Sequence, residues 1–293
     1  MTTTRPTEGK PRWLRRKLPS GPNYERIRHL IRDRRLTTVC QEAMCPNQFE
    51  CFAKGTATFM ILGERCTRNC RFCAVGHGAP GTPDAEEPSR VAEAVGILGL
   101  RYSVITSVTR DDLADGGAAH FVATVRAIRA QHPQTLIELL IPDLQGDRQA
   151  LATILDAGPE VLNHNLETVA RLYPRVRPEA NYQRSLEMLR QSKILAPGTV
   201  TKSGIMVGLG ETAAELRQLF HDLRQADCDI LTIGQYLQPS KAHLEVTRFV
   251  PPDDFEAMAA EAMALGFGAV AAAPFVRSSY QAEALFRQAS TAA

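Results

Sequence analysis

Six of the chain's seven cysteines fall between Cys40 and Cys73, in two triplets, and only Cys228 lies elsewhere. The second triplet, Cys66-Thr-Arg-Asn-Cys70-Arg-Phe-Cys73, has the spacing C-x3-C-x2-C. Three thiolates on one loop can converge on a single iron–sulfur cluster and leave its fourth iron open to a small molecule. The first triplet, Cys40-Gln-Glu-Ala-Met-Cys45-Pro-Asn-Gln-Phe-Glu-Cys51, is C-x4-C-x5-C and signals another cluster. Structural zinc is the competing use of such thiols. Zinc sites usually take four Cys or His ligands, commonly as two paired knuckles, and the sequence offers no second knuckle of that kind. An odd cysteine count, behind an N-terminus with basic residues but no apolar signal core, argues against a secreted disulfide framework and for a cytoplasmic location.

The C-x3-C-x2-C loop directly follows an apolar run, Ala57–Leu62. Further runs of this kind are Tyr102–Val108, Leu136–Ile141, Val161–Leu166, Val200–Leu209 and Asp229–Tyr236. Helical patterns lie between them, near 89–100, 117–131, 148–157, 180–194 and 212–226. Ser89 is the expected N-cap of the first, with Val91, Val95 and Leu98 recurring on one face. A helix over Asp253–Leu265 and a last extended segment, Ala269–Val276, complete the series, and a short helix is expected from about Tyr24. Near-continuous apolar strands alternating with helices mean βαβ units and a parallel sheet. The fold class is α/β, and six such units fit an incomplete (β/α)6 TIM-like barrel; a doubly wound open sheet is the competing architecture. Both gather ligands at the C-terminal ends of their strands.

Residues 1–35 carry eleven Lys or Arg against Glu8, Glu25 and Asp33, in a chain whose net charge is only +2. Such a basic arm, extended over its proline-containing first 20 residues, suggests steering of an anionic partner, with a solvated, partly disordered tail the equal alternative on composition. No stretch approaches the roughly 18 apolar residues of a spanning helix, so no membrane integration is expected.

The C-x3-C-x-aromatic-C pattern, with Phe72 as the aromatic, resembles the radical S-adenosylmethionine (SAM) signature. With C-x4-C-x5-C shortly before it, the chain resembles the lipoyl synthases. The likeness extends from about Thr38 to Tyr280 through Thr106–Gly117, Asn163–Val169, Ser203–Glu211, Gln235–Ser240 and Arg277-Ser-Ser-Tyr280, with no departure in the cysteine spacings. It implies two [4Fe-4S] clusters and SAM as cofactors. Cys66, Cys70 and Cys73 would hold the cluster that cleaves SAM reductively to methionine and a 5′-deoxyadenosyl radical. Cys40, Cys45, Cys51 and a serine of the Arg-Ser-Ser-Tyr element, Ser278 or more favourably Ser279, would hold an auxiliary cluster consumed as sulfur donor. The implied reaction inserts sulfur at C6 and C8 of an octanoyl group carried on a lysine. The implied partners are octanoylated lipoyl-carrier domains (2-oxoacid dehydrogenase E2 or the glycine cleavage H protein), an electron donor such as ferredoxin or flavodoxin, and an iron–sulfur cluster carrier, with no nucleic acid. Three regions are expected: a basic arm and auxiliary-cluster extension over residues 1–54, the partial barrel over 55–240, and over 241–293 a C-terminal extension that closes the barrel and supplies the serine.

Asn163, Asn165 and Glu167, at the end of the fourth run, are candidates for SAM, Glu167 through ribose or amino contacts. Gly208 and Gly210, in the glycine-rich stretch from Gly204, would let backbone approach the nucleoside. Tyr236 could stack on adenine, although a core role suits a tyrosine there better. Asp111, Asp112 and Asp115 could meet substrate, with helix capping the default, and Arg110 could hold an anion or pair with one of them. His164, His243 and Cys228 are expected to be structural. The arm around Arg12–Lys17 could dock an acidic carrier. Two other assignments compete. A tRNA methylthiotransferase would also pair two clusters, but generally spreads its auxiliary cysteines through a separate domain. A zinc-stabilised nucleic-acid-binding protein would need stacking aromatics among the basic residues, where only Trp13 and Tyr24 stand; it would be colourless, whereas an iron–sulfur protein is brown.

Overall fold

Seven parallel strands run in chain order across one open sheet in a computed structural model, which describes residues 10–15 and 21–292. They are preceded by an antiparallel edge, β1 (Thr37–Thr38), which pairs with β2 (Thr58–Ile61). The others are β3 (Tyr102–Ser107), β4 (Leu136–Leu140), β5 (Val161–Asn163), β6 (Val200–Val207), β7 (Ile230–Gln235) and β8 (Ala269–Ala272). Sequential order excludes the doubly wound alternative, whose order reverses at a switch point. The expected six-stranded incomplete barrel is present, and Ala269–Ala272 lengthens it by a further parallel strand, in register with Ile230–Ile233.

Helices α1 (Pro22–Asp33), α2 (Glu87–Leu98), α3 (Ala118–Gln131), α4 (Arg148–Asp156), α5 (Tyr182–Leu195), α6 (Ala213–Gln225), α7 (Pro252–Ala264) and α8 (Ala282–Ala292) accompany the sheet. Their starts follow local chemistry. Asp147 accepts from the Gln149 and Ala150 amides at the head of α4, and Thr212 forms a capping box with Glu215 on α6. Ser89 is not the cap of α2. The helix begins at Glu87 with Pro88 in its first turn, where a missing N–H costs nothing, so Ser89 already lies inside it. Gly99, at φ +63°, ends the helix in the left-handed conformation.

The N-terminal extension is packed into the barrel's own core. Ile27, Ile31 and Phe52 are buried with Phe59, Ile61 and Phe121, and Tyr24 stacks on Phe49 at 5.2 Å. A second core lies under the later strands, with Val207, Phe220, Tyr236 and Phe255. At the opposite end from the site, Leu285 and Ala289 of α8 pack on Ile230 and Ala269, the first residues of β7 and β8, and Phe286 meets Tyr102, the first residue of β3. Inside the barrel Lys202 and Glu138 form a wholly buried ion pair at 2.9 and 3.1 Å. Tyr102 and Asn163 donate to the same carboxylate at 2.7 and 2.8 Å. No helix of the described residues is long and apolar enough to cross a membrane. Most of the expected extended arm, with Arg16 and Lys17 of its docking stretch, lies outside the described residues; Arg12–Leu14 form one helical turn with Leu14 buried.

Candidate iron–sulfur site

A cavity of about 460 Å³ opens at the C-terminal ends of the strands, and all six clustered cysteines line it. Three separate stretches of chain meet there.

The first carries Cys66, Cys70 and Cys73. It leaves β2 through Leu62 and Gly63, and is closed on itself where Arg65–Cys66 pairs with Gly76–His77. Thr67 N–H donates to Thr109 O at 3.0 Å, fastening the loop to the end of β3, and Arg71 N–H donates to Val176 O at 3.0 Å. His243 Nε2 holds the Cys73 carbonyl at 3.0 Å while its Nδ1 meets Ser240 Oγ at 2.9 Å, a structural role as expected. Two backbone amides, Thr109 and Arg68, point at Cys66 Sγ from 3.3 and 3.4 Å.

The second stretch carries Cys40 and Cys51 on two short helices, Val39–Glu42 and Gln48–Ala53, with Cys45 between them. The third is the turn Arg277–Tyr280, tied to the second by Asn47 Nδ2 donating to Phe275 O at 2.6 Å and Tyr280 Oη to Glu50 at 3.1 Å. Gly234 makes that approach possible, because a Cβ there would collide with the Val276 carbonyl.

Burial pushes the Cys40 thiol up to about 12, with Cys45 beside it adding to the effect. Cys51 rises to about 11 for the same two reasons, and burial takes Cys73 to about 12. Burial also raises Cys70, against the pull of the Arg177 guanidinium. Mutually opposed thiols in a low-dielectric wall need a cationic group to stabilise their thiolates, and metal binding supplies it by releasing the protons. Every cysteine is a free thiol. No three His, Cys, Asp or Glu side chains among the described residues meet closely enough to hold one ion. Ligands spread around a wall suit a multi-iron cluster, whose irons are bound separately, better than one tetrahedral zinc.

The remaining wall is polar where β5 and β6 end. Glu167 sits at φ +64° and bridges back to Ile205, its N–H donating to Gly204 O at 2.9 Å. Burial pushes its carboxyl up, opposed by Arg177 and by Asn165, which donates to it at 3.0 Å. Asn165 lines the cavity, and its Oδ1 is buried with no hydrogen-bond partner among the described residues, an acceptor left to be satisfied. Gly204 makes room for it, since a Cβ there would lie 2.8 Å from both Asn165 Oδ1 and Thr232 Oγ1. The donor set and this orphaned acceptor fit a cluster with a small polar ligand on its open iron.

Phe72, Asn165, Glu167, Tyr236, Ser278 and Ser279 all line the cavity with the cysteines. Asn163, Gly208 and Gly210 do not. Asn163 faces the buried Glu138, and Gly208 lies where a Cβ would run into Gln235 and the Arg248 carbonyl. Tyr236 donates to Leu244 O at 2.7 Å. Asp115 caps the start of α3 through the Gly117 and Ala119 amides, at 2.9 and 2.8 Å, and Asp112 pairs with Arg110. Sequence reasoning missed Arg68, Arg177, Gly204's companion Thr232, and Gly234. An isolated Arg, Thr or Gly carries no local signal of a partner so distant in the chain.

Residues 60–223 match the family described as the radical SAM superfamily, and residues 4–45 match the N-terminal domain of lipoyl synthase of the radical SAM family. A lipoyl synthase of Desulfotalea psychrophila is 64% identical over 284 residues, covering 97% of this chain and 95% of that one. A lipoyl synthase of Thermus thermophilus is 54% identical over 282 residues, 96% of this chain and 87% of that one. Among solved structures, methylornithine synthase (PylB) shares the fold with a TM-score of 0.52 at 16% identity, over 72% of this chain and 70% of that one.

Proposed function

The chain belongs to the lipoyl synthase family of radical SAM enzymes, and on that premise we propose how its residues divide the sulfur-inserting reaction between them. The observation that carries the reading is that both cysteine triplets and the Ser278–Ser279 turn line one cavity. Cys66, Cys70 and Cys73 hold one [4Fe-4S] cluster; Cys40, Cys45, Cys51 and Ser279 hold the auxiliary one. When bound, the first cluster with SAM supplies a 5′-deoxyadenosyl radical, and the second supplies sulfur.

The protein's own residues bind, orient and exclude water. Asn165 and Glu167 receive the polar end of SAM, the orphaned Asn165 oxygen accepting from its amino group or ribose. Tyr236 and Phe72 contribute apolar wall. Ser278 already accepts a hydrogen bond from Asn165 Nδ2 at 3.2 Å, which supports its neighbour Ser279 as the oxygen ligand. Oxygen is a weaker ligand than thiolate for such iron and makes that corner the labile one. An octanoyl chain amide-linked to a lysine of a lipoyl-carrier domain enters the same cavity, whose apolar parts suit a saturated chain. The division into residues 1–54, 55–240 and 241–293 follows these roles. Free thiols and low-potential clusters call for a reducing compartment, so we place the protein in the cytoplasm, served by a one-electron donor of the ferredoxin or flavodoxin kind and a cluster carrier.

The test is anaerobic iron and sulfide content for the wild type and for the Cys40→Ala/Cys45→Ala/Cys51→Ala variant, each then assayed with SAM, reductant and an octanoyl-lysine peptide. About eight irons should fall to about four, with 5′-deoxyadenosine still formed and no thiolated product. About four irons in both samples would remove the auxiliary cluster and the sulfur-donor role with it.

A further inference from the structure

The spacing C-x3-C places thiols and leaves the residues between them unspecified. The middle one here, Arg68, is turned beneath its loop with only 5% of its surface exposed. Its Nε and Nη2 grip Asp111 in a two-pronged contact at 2.6 and 2.8 Å, and Nη2 also reaches Asp143 Oδ1 at 2.6 Å. Asp143 is fully buried, and its other oxygen accepts from Arg184 Nε of α5 at 2.8 Å. One carboxylate thus joins the cysteine loop, the segment after β4 and the helix after β5. The same region is fastened by three more hydrogen bonds, from Thr67 N–H and Thr67 Oγ1 to Thr109 O, each at 3.0 Å, and from Asp111 N–H to Thr67 Oγ1 at 3.1 Å. These fastenings aim the Thr109 and Arg68 amides at Cys66 Sγ. Hydrogen bonds to ligand sulfur and nearby charge are what tune a cluster's potential.

We propose that Arg68 and Asp143 are positioning residues of the Cys66–Cys73 loop, which seat its cluster and, through their paired charges, set its reduction potential. This rests on the assignment of Cys66, Cys70 and Cys73 as ligands of the SAM-cleaving cluster. Two guanidinium groups and two carboxylates leave the network neutral. Reduction adds an electron to an already anionic cluster, so extra positive charge beside it favours the reduced form. Asp143→Asn removes a negative charge and should move the potential upward. Arg68→Gln removes a positive charge and should move it downward. Loss of packing alone loosens the loop in both variants and gives no reason for opposite signs.

The experiment is an EPR-monitored redox titration of reconstituted holoenzyme, wild type, Asp143→Asn, Arg68→Gln and Arg68→Lys, with the SAM-responsive signal identifying the cluster. Opposite shifts in the first two variants are expected. Arg68→Lys should stay near the wild-type potential but lose iron from this cluster faster, because an ammonium keeps the charge and cannot fork. Shifts of the same sign, or none, would overturn the inference. Arg184→Gln, at a partly exposed position, serves where a buried variant does not fold; a small downward shift is expected, and no shift or an upward one counts against the proposal. A SAM-responsive signal that survives Cys66→Ala would overturn the ligand assignment, and the inference with it.

Discussion

Asn165, just beyond β5, donates a 3.2 Å hydrogen bond to Ser278, 113 residues further along the chain. The same amide nitrogen donates to Glu167 at 3.0 Å, so one side chain spans the polar wall beyond β5 and the C-terminal turn. That contact sets Ser278 apart from its neighbour Ser279, which the sequence reading already favours as the oxygen ligand.

Ser279→Ala should therefore cost the auxiliary cluster, lowering iron content and abolishing thiolated product while 5′-deoxyadenosine is still formed. Ser278→Ala should keep the auxiliary iron, losing only a hydrogen bond worth about 1 kcal/mol. Iron counts and product analysis on the two variants, side by side, decide it. The reverse pattern would make Ser278 the ligand.

The Arg277–Tyr280 turn reaches the auxiliary thiols only because Gly234 on β7 has no side chain. Gly234→Ala should push the Val276 carbonyl away and carry the turn with it. Overpacking of this kind costs about 1–3 kcal/mol. The distinguishing expectation is local: auxiliary iron falls, while the Cys66–Cys73 cluster and SAM cleavage remain near wild type. Equal loss from both clusters would mean that the whole barrel had shifted.

How much of this was legible in sequence depends on how local each cause is. Candidate ligands close in sequence are marked by their spacing, so both triplets stand out before any fold, and the structure brings all six cysteines to one cavity. Buried parallel strands announce themselves as apolar runs, and the six expected ones are present. Ala269–Ala272 is readable as extended but not as a further parallel strand, because so short a run, with three of its four residues alanine, does not say which strand it pairs with. Ser89 misled as a cap because Pro88, one residue earlier, already suits the first turn. Arg68 and Asp143 lie 75 residues apart, and Asn47 and Phe275 lie 228 apart. Contacts over such separations follow from topology, which spacing does not encode. Asn163 sits at the end of a strand as expected, yet it turns inward to Glu138, and only the register decides between inward and ligand-facing positions.

That inward network supplies a stability prediction. Lys202 and Glu138 are fully buried, with Tyr102 and Asn163 completing the carboxylate's hydrogen bonds. Lys202→Met should destabilise the protein by about 3–5 kcal/mol, since it leaves a buried carboxylate without its cation. Lys202→Met combined with Glu138→Gln should recover part of that loss by removing the charge. Urea unfolding of the single and double variants measures both; a double variant worse than the single would refute the charge argument.

His164 gives the pH dependence. Burial, with the Arg177 charge beside it, pushes its imidazole down from 6.5 to about 4, so it is neutral in the folded protein. Nδ1–H donates to Ile141 O at 2.9 Å. Between those two values the unfolded chain takes up a proton that the folded chain refuses, so stability falls as pH falls. The contribution is complete above about 6.5, declines by at most about 1.4 kcal/mol per pH unit, and is exhausted near pH 4. Asp143 acts with the same sign in a lower window: burial alone would raise its carboxyl, but the Arg68 hydrogen bonds and charge outweigh that and hold it well below the ordinary range. The two effects are thus separable by pH. His164→Phe should flatten the stability profile between pH 6.5 and 4 and leave the steeper acid limb in place. An unchanged slope in that window would show that His164 takes up its proton in the folded protein after all.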